Sequence, residues 1–463
     1  MKGYATSIFM NRIKAAILSL LLTACASSPT LHTESPAGSL EKKEVVPFFG
    51  AFQVHRYTWV NGLRLLIIED HSSPTFAYQT WFQVGSKDET PLKTGLAHLF
   101  EHMMFKGTKT LKDGDFDRLL EASGVEGENA FTSRDYTTYI QELPKDKIET
   151  IIRLESDRMV NLVIDEKSFK TEREVVQNER RFRNENSPDG TLEQELFHLA
   201  FQKHPYHWPI IGYQEDLDRM NERDAEEFYR SFYSPDHATI VIVGDVQPQA
   251  VQSMIQKYYG HIPKRMTKNT SLPTEPVQAR FRRQRLKLNI QVEKLLMGYH
   301  IPSIMHSDMP ALAVLQNILT GGKSARLPRA LIDTGLASGV ESYEMEGKDP
   351  SLYLLMANLQ NKKHAAQAES IILKELTSLR KDLVSFQELE KAKNKIEFNF
   401  YENLSSNFEK AYFLGHYETI AGDFQNGIRR HQQTQLVKPE DLRSVVKKYF
   451  RPENRTVITG IPK

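Results

Sequence analysis

The chain has 463 residues, 40% hydrophobic and 26% charged, a balance that excludes a disordered protein and a multispanning membrane protein. Lysine plus arginine (60) almost cancels aspartate plus glutamate (59), so no global field selects nucleic acid or an anionic membrane surface, and no nucleic-acid partner is expected. The length is too great for one ordinary core and fits two domains of about 200 residues each.

In chain order, Arg12 and Lys14 precede an apolar run over residues 15–22 and then Thr23 and Ala24, the pattern of a secretory signal. The run is shorter than the roughly 20 residues a permanent spanning helix needs. Leu22-Thr23-Ala24-Cys25 resembles the lipobox of bacterial lipoproteins. That resemblance implies acylation of Cys25, a membrane anchor and a periplasm-facing place in the cell envelope, with Ala26 pointing to the outer membrane. Cys25 is the single cysteine, so the fold rests on packing without disulfides. Met10 directly precedes the charged region and competes with Met1 as the start. Residues 1–25 are therefore read as signal and 26–50, rich in Ser, Thr, Pro and Lys, as a flexible tether.

The first predicted elements are a hairpin, with residues 57–60 and 63–69 joined at Asn61-Gly62, and a strand over 76–84 that stops at Gly85. Helical spacing follows over 94–106, bracketed by Gly95 and Gly107. Pro263, Pro273 and Pro276 and the string Arg280-Phe281-Arg282-Arg283-Gln284-Arg285 mark 264–285 as an interdomain linker, after which Leu286, Leu288, Ile290 and Val292 alternate as a strand. The halves 51–263 and 286–463 look like copies. Phe232-Tyr233-Ser234-Pro235 with the strand at 239–244 matches Tyr449-Phe450-Arg451-Pro452 with the strand at 456–460, and an acidic-capped amphipathic helix precedes each. The expected fold class is α+β, two similar domains, each an antiparallel-rich sheet packed with helices.

The chemistry concentrates in His98-Leu99-Phe100-Glu101-His102. On a helix, positions i and i+4 stack on one face, so both imidazoles reach one metal ion, and Glu101 lies beside it as a proton acceptor. Burying two histidines and a glutamate among Leu96, Leu99, Phe100, Met103 and Met104 is costly without a ligand. A catalytic zinc site takes three protein ligands, so a downstream carboxylate is required. The helical segment 172–181 offers Glu172, Glu174 and Glu179. Glu172 and Glu179 share a face and Glu174 points elsewhere, but periodicity leaves the choice open.

The motif, its flanks Gly95-Leu96-Ala97-His98 and Phe105-Lys106-Gly107-Thr108, and the spacing to Asn178-Glu179-Arg180 resemble the pitrilysin family of inverted zincins, which includes insulin-degrading enzyme and the mitochondrial processing peptidases. Asn129-Ala130-Phe131-Thr132 with Asp135 and Tyr139, and His204-Pro205-Tyr206 with Ile211-Gly212, extend the likeness, which covers the chain from about residue 54 onward. The resemblance implies one Zn2+ held by His98, His102 and Glu179, with Glu101 as the general base and Glu172 as a supporting acid. It further implies a peptide substrate laid along Asn129, Ala130, Phe131 and Thr132, hydrolysed by a metalloendopeptidase.

One position departs. After Thr334-Gly335-Leu336-Ala337, members that act alone carry a Tyr that works with an upstream Arg on the substrate carbonyl, and Ser338 stands there instead. Arg329 is a loose candidate for the Arg. The expectation is an assembly, a homodimer or a heteromer with a second family subunit, whose partner completes an enclosed chamber. The alternative function is a non-catalytic scaffold subunit, against which the intact His98, Glu101, His102 and Glu179 argue.

Overall fold

A computed structural model describes residues 38–265, 271–360 and 364–463. Cys25 and the signal and lipobox segments lie outside the described residues.

Seven strands, β1 (Leu40–Pro47), β2 (Gln53–Trp59), β3 (Arg64–Glu69), β4 (Thr75–Phe82), β5 (Glu126–Thr132), β6 (Thr137–Pro144) and β7 (Ala238–Gly244), form one sheet. Its order is β1-β2-β3-β7-β4-β6-β5. A second sheet holds β8 (Arg282–Leu288), β9 (Lys294–Ile301), β10 (Ala337–Glu344), β11 (Ser351–Leu359) and β12 (Arg455–Pro462) in the order β10-β11-β9-β12-β8. The chain repeats itself in this topology. The run β3-β7-β4-β6-β5 and the run β8-β12-β9-β11-β10 connect their strands in the same sequence. Each has one parallel pair, β3 with β7 and β8 with β12, and is otherwise antiparallel. The two-domain α+β expectation holds. The matched half-ends are β7 and β12, each entered through a helix, Glu222–Phe232 or Pro439–Tyr449, and a short 3-10 turn.

Local signals account for most elements. All seven residues of β7 are buried, as a central strand covered on both faces demands. The Asn61-Gly62 turn joins β2 to β3, with Gly62 at φ +89°. The tether ends earlier than residue 50, because Leu40–Pro47 pairs with β2 as an edge strand. Its charged run (Glu41, Lys42, Lys43, Glu44) suits an exposed edge and hides the strand from a hydrophobicity reading. Likewise β8 begins at Arg282, inside the basic string. Arg282 donates to the Leu199 carbonyl (2.9 Å) and Arg283 pairs with Glu369 (2.6 Å).

The halves exchange helices. Pro188–Ala200, from the first half, packs on β9 and β12 through Leu192, Leu196 and Phe197, while Asn407–Ile420, from the second, crosses β4 and β7 through Ala411 and Leu414. A buried Lys410–Asp70 ion pair (2.6 Å) ties the second of these contacts. The chain beyond residue 37 is accordingly one compact unit. Among the described residues, no helix is long and apolar enough to cross a membrane.

Candidate metal centre

The motif occupies the helix Leu96–Met103, buried on nearly every side. It starts at Gly95, held at φ +91°, where a Cβ would lie 2.5 Å from the Ile211 carbonyl oxygen. Only glycine combines that left-handed backbone with so close an approach. The first turn leaves N–H groups without helical partners, and the buried carboxylate of Glu89 takes two of them, from Gly95 (2.9 Å) and Ala97 (2.8 Å). The start of the helix, and so the height of both histidines, is thereby fixed.

The carboxylates arrive on the helix Glu166–Arg180, started by a capping box at Asp165. Its buried stripe, Phe169, Glu172, Val176 and Arg180, packs toward the motif helix, whereas Glu174 is exposed. Glu179 Oε2 lies 3.4 Å from His102 Nε2 and 3.8 Å from His98 Nε2, and one ligand atom from each residue falls within 4.8 Å of the others. Ligand bonds of about 2.0–2.1 Å in a tetrahedron give ligand-to-ligand edges of about 3.4 Å, so this donor set fits a zinc ion with little movement. Glu172 sits behind: its Oε2 is 3.6 Å from His102 Nδ1, and its other oxygen takes Lys106 Nζ at 2.7 Å. The partner of the outer ring nitrogen is what orients a ligating imidazole. His98 Nδ1, by contrast, is buried with no hydrogen-bond partner.

Burial, with His102 adjacent, pushes His98 down to about 4, which keeps it neutral and able to ligate. Burial opposes the charge of His102 as well, but Glu172 and Glu179 on either side carry it up to about 9. Burial raises the Glu101 carboxyl above its ordinary range, against a 2.6 Å hydrogen bond donated by Thr132 Oγ1. An elevated carboxylate within reach of a reacting water is what a general base requires.

These groups line a cleft of about 630 Å³. One wall is β5, the outermost strand of the first sheet, and Asn129, Ala130, Phe131 and Thr132 all face the cleft. Among the described residues no strand lies beyond β5, and Thr132 contacts Glu101 as well. Asp135 instead goes to a buried ion pair with Lys87 (2.7 Å), and the Tyr139 hydroxyl lies 3.4 Å from that of Tyr233. Arg134, Arg183 and Glu193 also line the cleft and were not singled out in the sequence. Nor was Glu89, which belongs to no spaced pattern. Arg134 had a visible neighbour signal, sitting between Thr132 and Asp135. Ser338 donates to the Asn358 carbonyl at the start of β10, and Arg329 lines a different cavity with Lys391 and Lys395. Neither lines the metal cleft.

The family model described as "Insulinase (Peptidase family M16)" matches residues 64–213, and that described as "Peptidase M16 inactive domain" matches 219–396. A relative from Helicobacter pylori named zinc protease PqqE is 33% identical over 409 residues, 87% of this chain and 91% of its own. A crystal structure of a protease from Helicobacter pylori superposes with a TM-score of 0.82 at 31% identity, covering 91% of this chain and all of the other. The periplasmic protease PqqL of Escherichia coli shares the fold (TM-score 0.74, 18% identity), with 91% of this chain covering 48% of that one. On these matches and this donor geometry, the chain belongs to the M16 peptidase family.

Proposed function

We propose that the protein is a zinc-dependent endopeptidase, with His98, His102 and Glu179 as ligands and Glu101 as the general base. The observation that carries this is the convergence of two imidazoles and one carboxylate beside an elevated carboxylate in a cleft walled by an open strand edge. A zinc ion held there supplies Lewis-acid polarisation of water and of the scissile carbonyl. Glu101, aligned by Thr132, takes a proton from the attacking water and gives it to the leaving amine as the C–N bond breaks. Glu172 orients His102 through Nδ1. Asn129, Ala130, Phe131 and Thr132 pair with the main chain of an extended peptide, which favours peptides and unfolded segments over particular side chains.

The chain works with a second subunit, a homodimer copy or a related chain, that closes the chamber and donates the Arg and Tyr missing at Ser338. The half-length match to PqqL supports that arrangement. The name of PqqL and the lipobox support a periplasm-facing protein anchored through Cys25. The test is hydrolysis of an unfolded reporter polypeptide by the wild type and by Glu101→Gln, with the size in solution measured on the same samples. Activity confined to wild-type oligomers supports the whole reading. Full activity in a monomer removes the partner, and zinc with no hydrolysis in any state favours the scaffold reading.

A further inference from the structure

Arg134 stands out in the cleft, in the bend between β5 and β6, two residues past the Thr132 that holds Glu101. Its side chain is only 10% exposed, yet Nε is buried without an acceptor, and the nearest carboxylate, Glu193 Oε1, lies 4.0 Å from its NH2 group, beyond hydrogen-bond reach. The guanidinium stacks on Phe197 at 3.6 Å from the ring centroid. Stacking covers the flat face of the group and leaves Nε, in its plane, without an acceptor. The neighbouring Asp135 cannot neutralise it, because that carboxylate is already taken by the Tyr206 hydroxyl (2.7 Å), Lys87 Nζ (2.7 Å) and the Lys348 N–H (3.1 Å).

Burying a donor without a partner is expensive, and Nε of Arg134 is such a donor. The backbone under Arg134 is pinned by the Lys87 N–H on its carbonyl (3.1 Å) and by Ser133 Oγ, which accepts from Asp135 and Tyr136 (3.0 Å each). A guanidinium fork held in place at the end of a peptide-binding edge matches a planar carboxylate in shape and charge.

We propose that Arg134 is a specificity-determining residue that binds a carboxylate of the peptide, either its C-terminus or an acidic side chain. This rests on the peptidase reading above. Two residues of chain separate Arg134 from Thr132, at most about 7 Å, so the carboxylate lies about two to four residues from the scissile bond. Glu193, 43% exposed on the rim, is the group that an incoming carboxylate displaces.

The experiment measures binding by calorimetry to the zinc-loaded full chain carrying Glu101→Gln, so that nothing is cleaved. The probes are peptides matched in sequence, as free acid against C-terminal amide and with Glu against Gln at single positions. The expected result is a preference of about tenfold to a hundredfold for one carboxylate form, which also identifies its source. Arg134→Gln erases the preference between the acid and neutral peptides. Arg134→Lys, which keeps the charge and loses the fork, retains part of it. Glu193→Gln, at an exposed position, tightens the carboxylate peptides alone. The proposal is overturned if Arg134→Gln weakens acid and amide peptides equally, or if the preference survives it. A preference found in a zinc-loaded wild type that hydrolyses no peptide in any oligomeric state favours the scaffold reading and leaves Arg134 standing.

Discussion

Replacing Glu172 with Gln isolates the part of the site that no ligand provides. The substitution keeps volume and an acceptor oxygen but removes the charge behind His102 Nδ1 and the partner of Lys106. Partners behind a ligating histidine are worth about tenfold to a hundredfold in metal affinity. The 3.6 Å separation is longer than a full hydrogen bond, which places the effect at the lower end, about tenfold or ~1.4 kcal/mol. Competition for zinc against a chelator of known affinity reads this directly, with Lys106→Met as the control. An unchanged zinc affinity in Glu172→Gln refutes the reasoning. So does an equal loss in Lys106→Met, since the carboxylate would then be acting through the lysine.

Gly95→Ala is expected to destabilise the chain by at least about 1–2 kcal/mol from the left-handed backbone alone, with the Ile211 carbonyl adding to it, as a lowered melting temperature will report. Arg158 and Glu155, a pair 1% and 2% exposed, predict that Arg158→Met alone costs about 3–5 kcal/mol in denaturant unfolding, and that adding Glu155→Leu recovers most of it. If the double variant is no better than the single one, the buried pair is not the cause. Glu128 on β5 has a buried oxygen without a partner, and burial, with Asp117 adding, pushes its carboxyl up to about 7. Above the ordinary value of 4.5 the unfolded chain releases this proton while the folded chain keeps it, so Glu128's contribution to stability falls as pH rises towards 7. Glu128→Gln should therefore gain on the wild type between about pH 4.5 and 7 in paired unfolding curves, and a gap constant with pH counts against it.

What the sequence made legible was local. The hairpin turn at Asn61-Gly62, the motif helix and the two half-ends rest on short spacings that one element carries by itself. The third ligand was legible only in part: a seven-residue spacing put Glu172 and Glu179 on one face and Glu174 off it, but only the packing of two helices decides which oxygen meets the imidazoles. β1 escaped notice because an edge strand can be largely charged, and for the same reason the first four residues of β8, Arg282 to Arg285, read as linker; the strand expected over 286–292 starts at Arg282 instead and ends at Leu288. The exchange of Pro188–Ala200 and Asn407–Ile420 between the halves leaves no clear periodicity to find, since neither helix carries a sharp apolar stripe and the second buries Asn407, Lys410 and Glu418 along with its apolar residues. Arg134 was passed over because an unsatisfied donor is a property of its surroundings.

Anomalous diffraction at the zinc edge from crystals of the chain grown with the metal tests the metal centre most directly. The prediction is one peak per chain, bonded to Nε2 of His98, Nε2 of His102 and Glu179, with Glu101 beside it and unligated. A peak bound by Glu172 in place of Glu179, or no peak at these residues, would contradict the account.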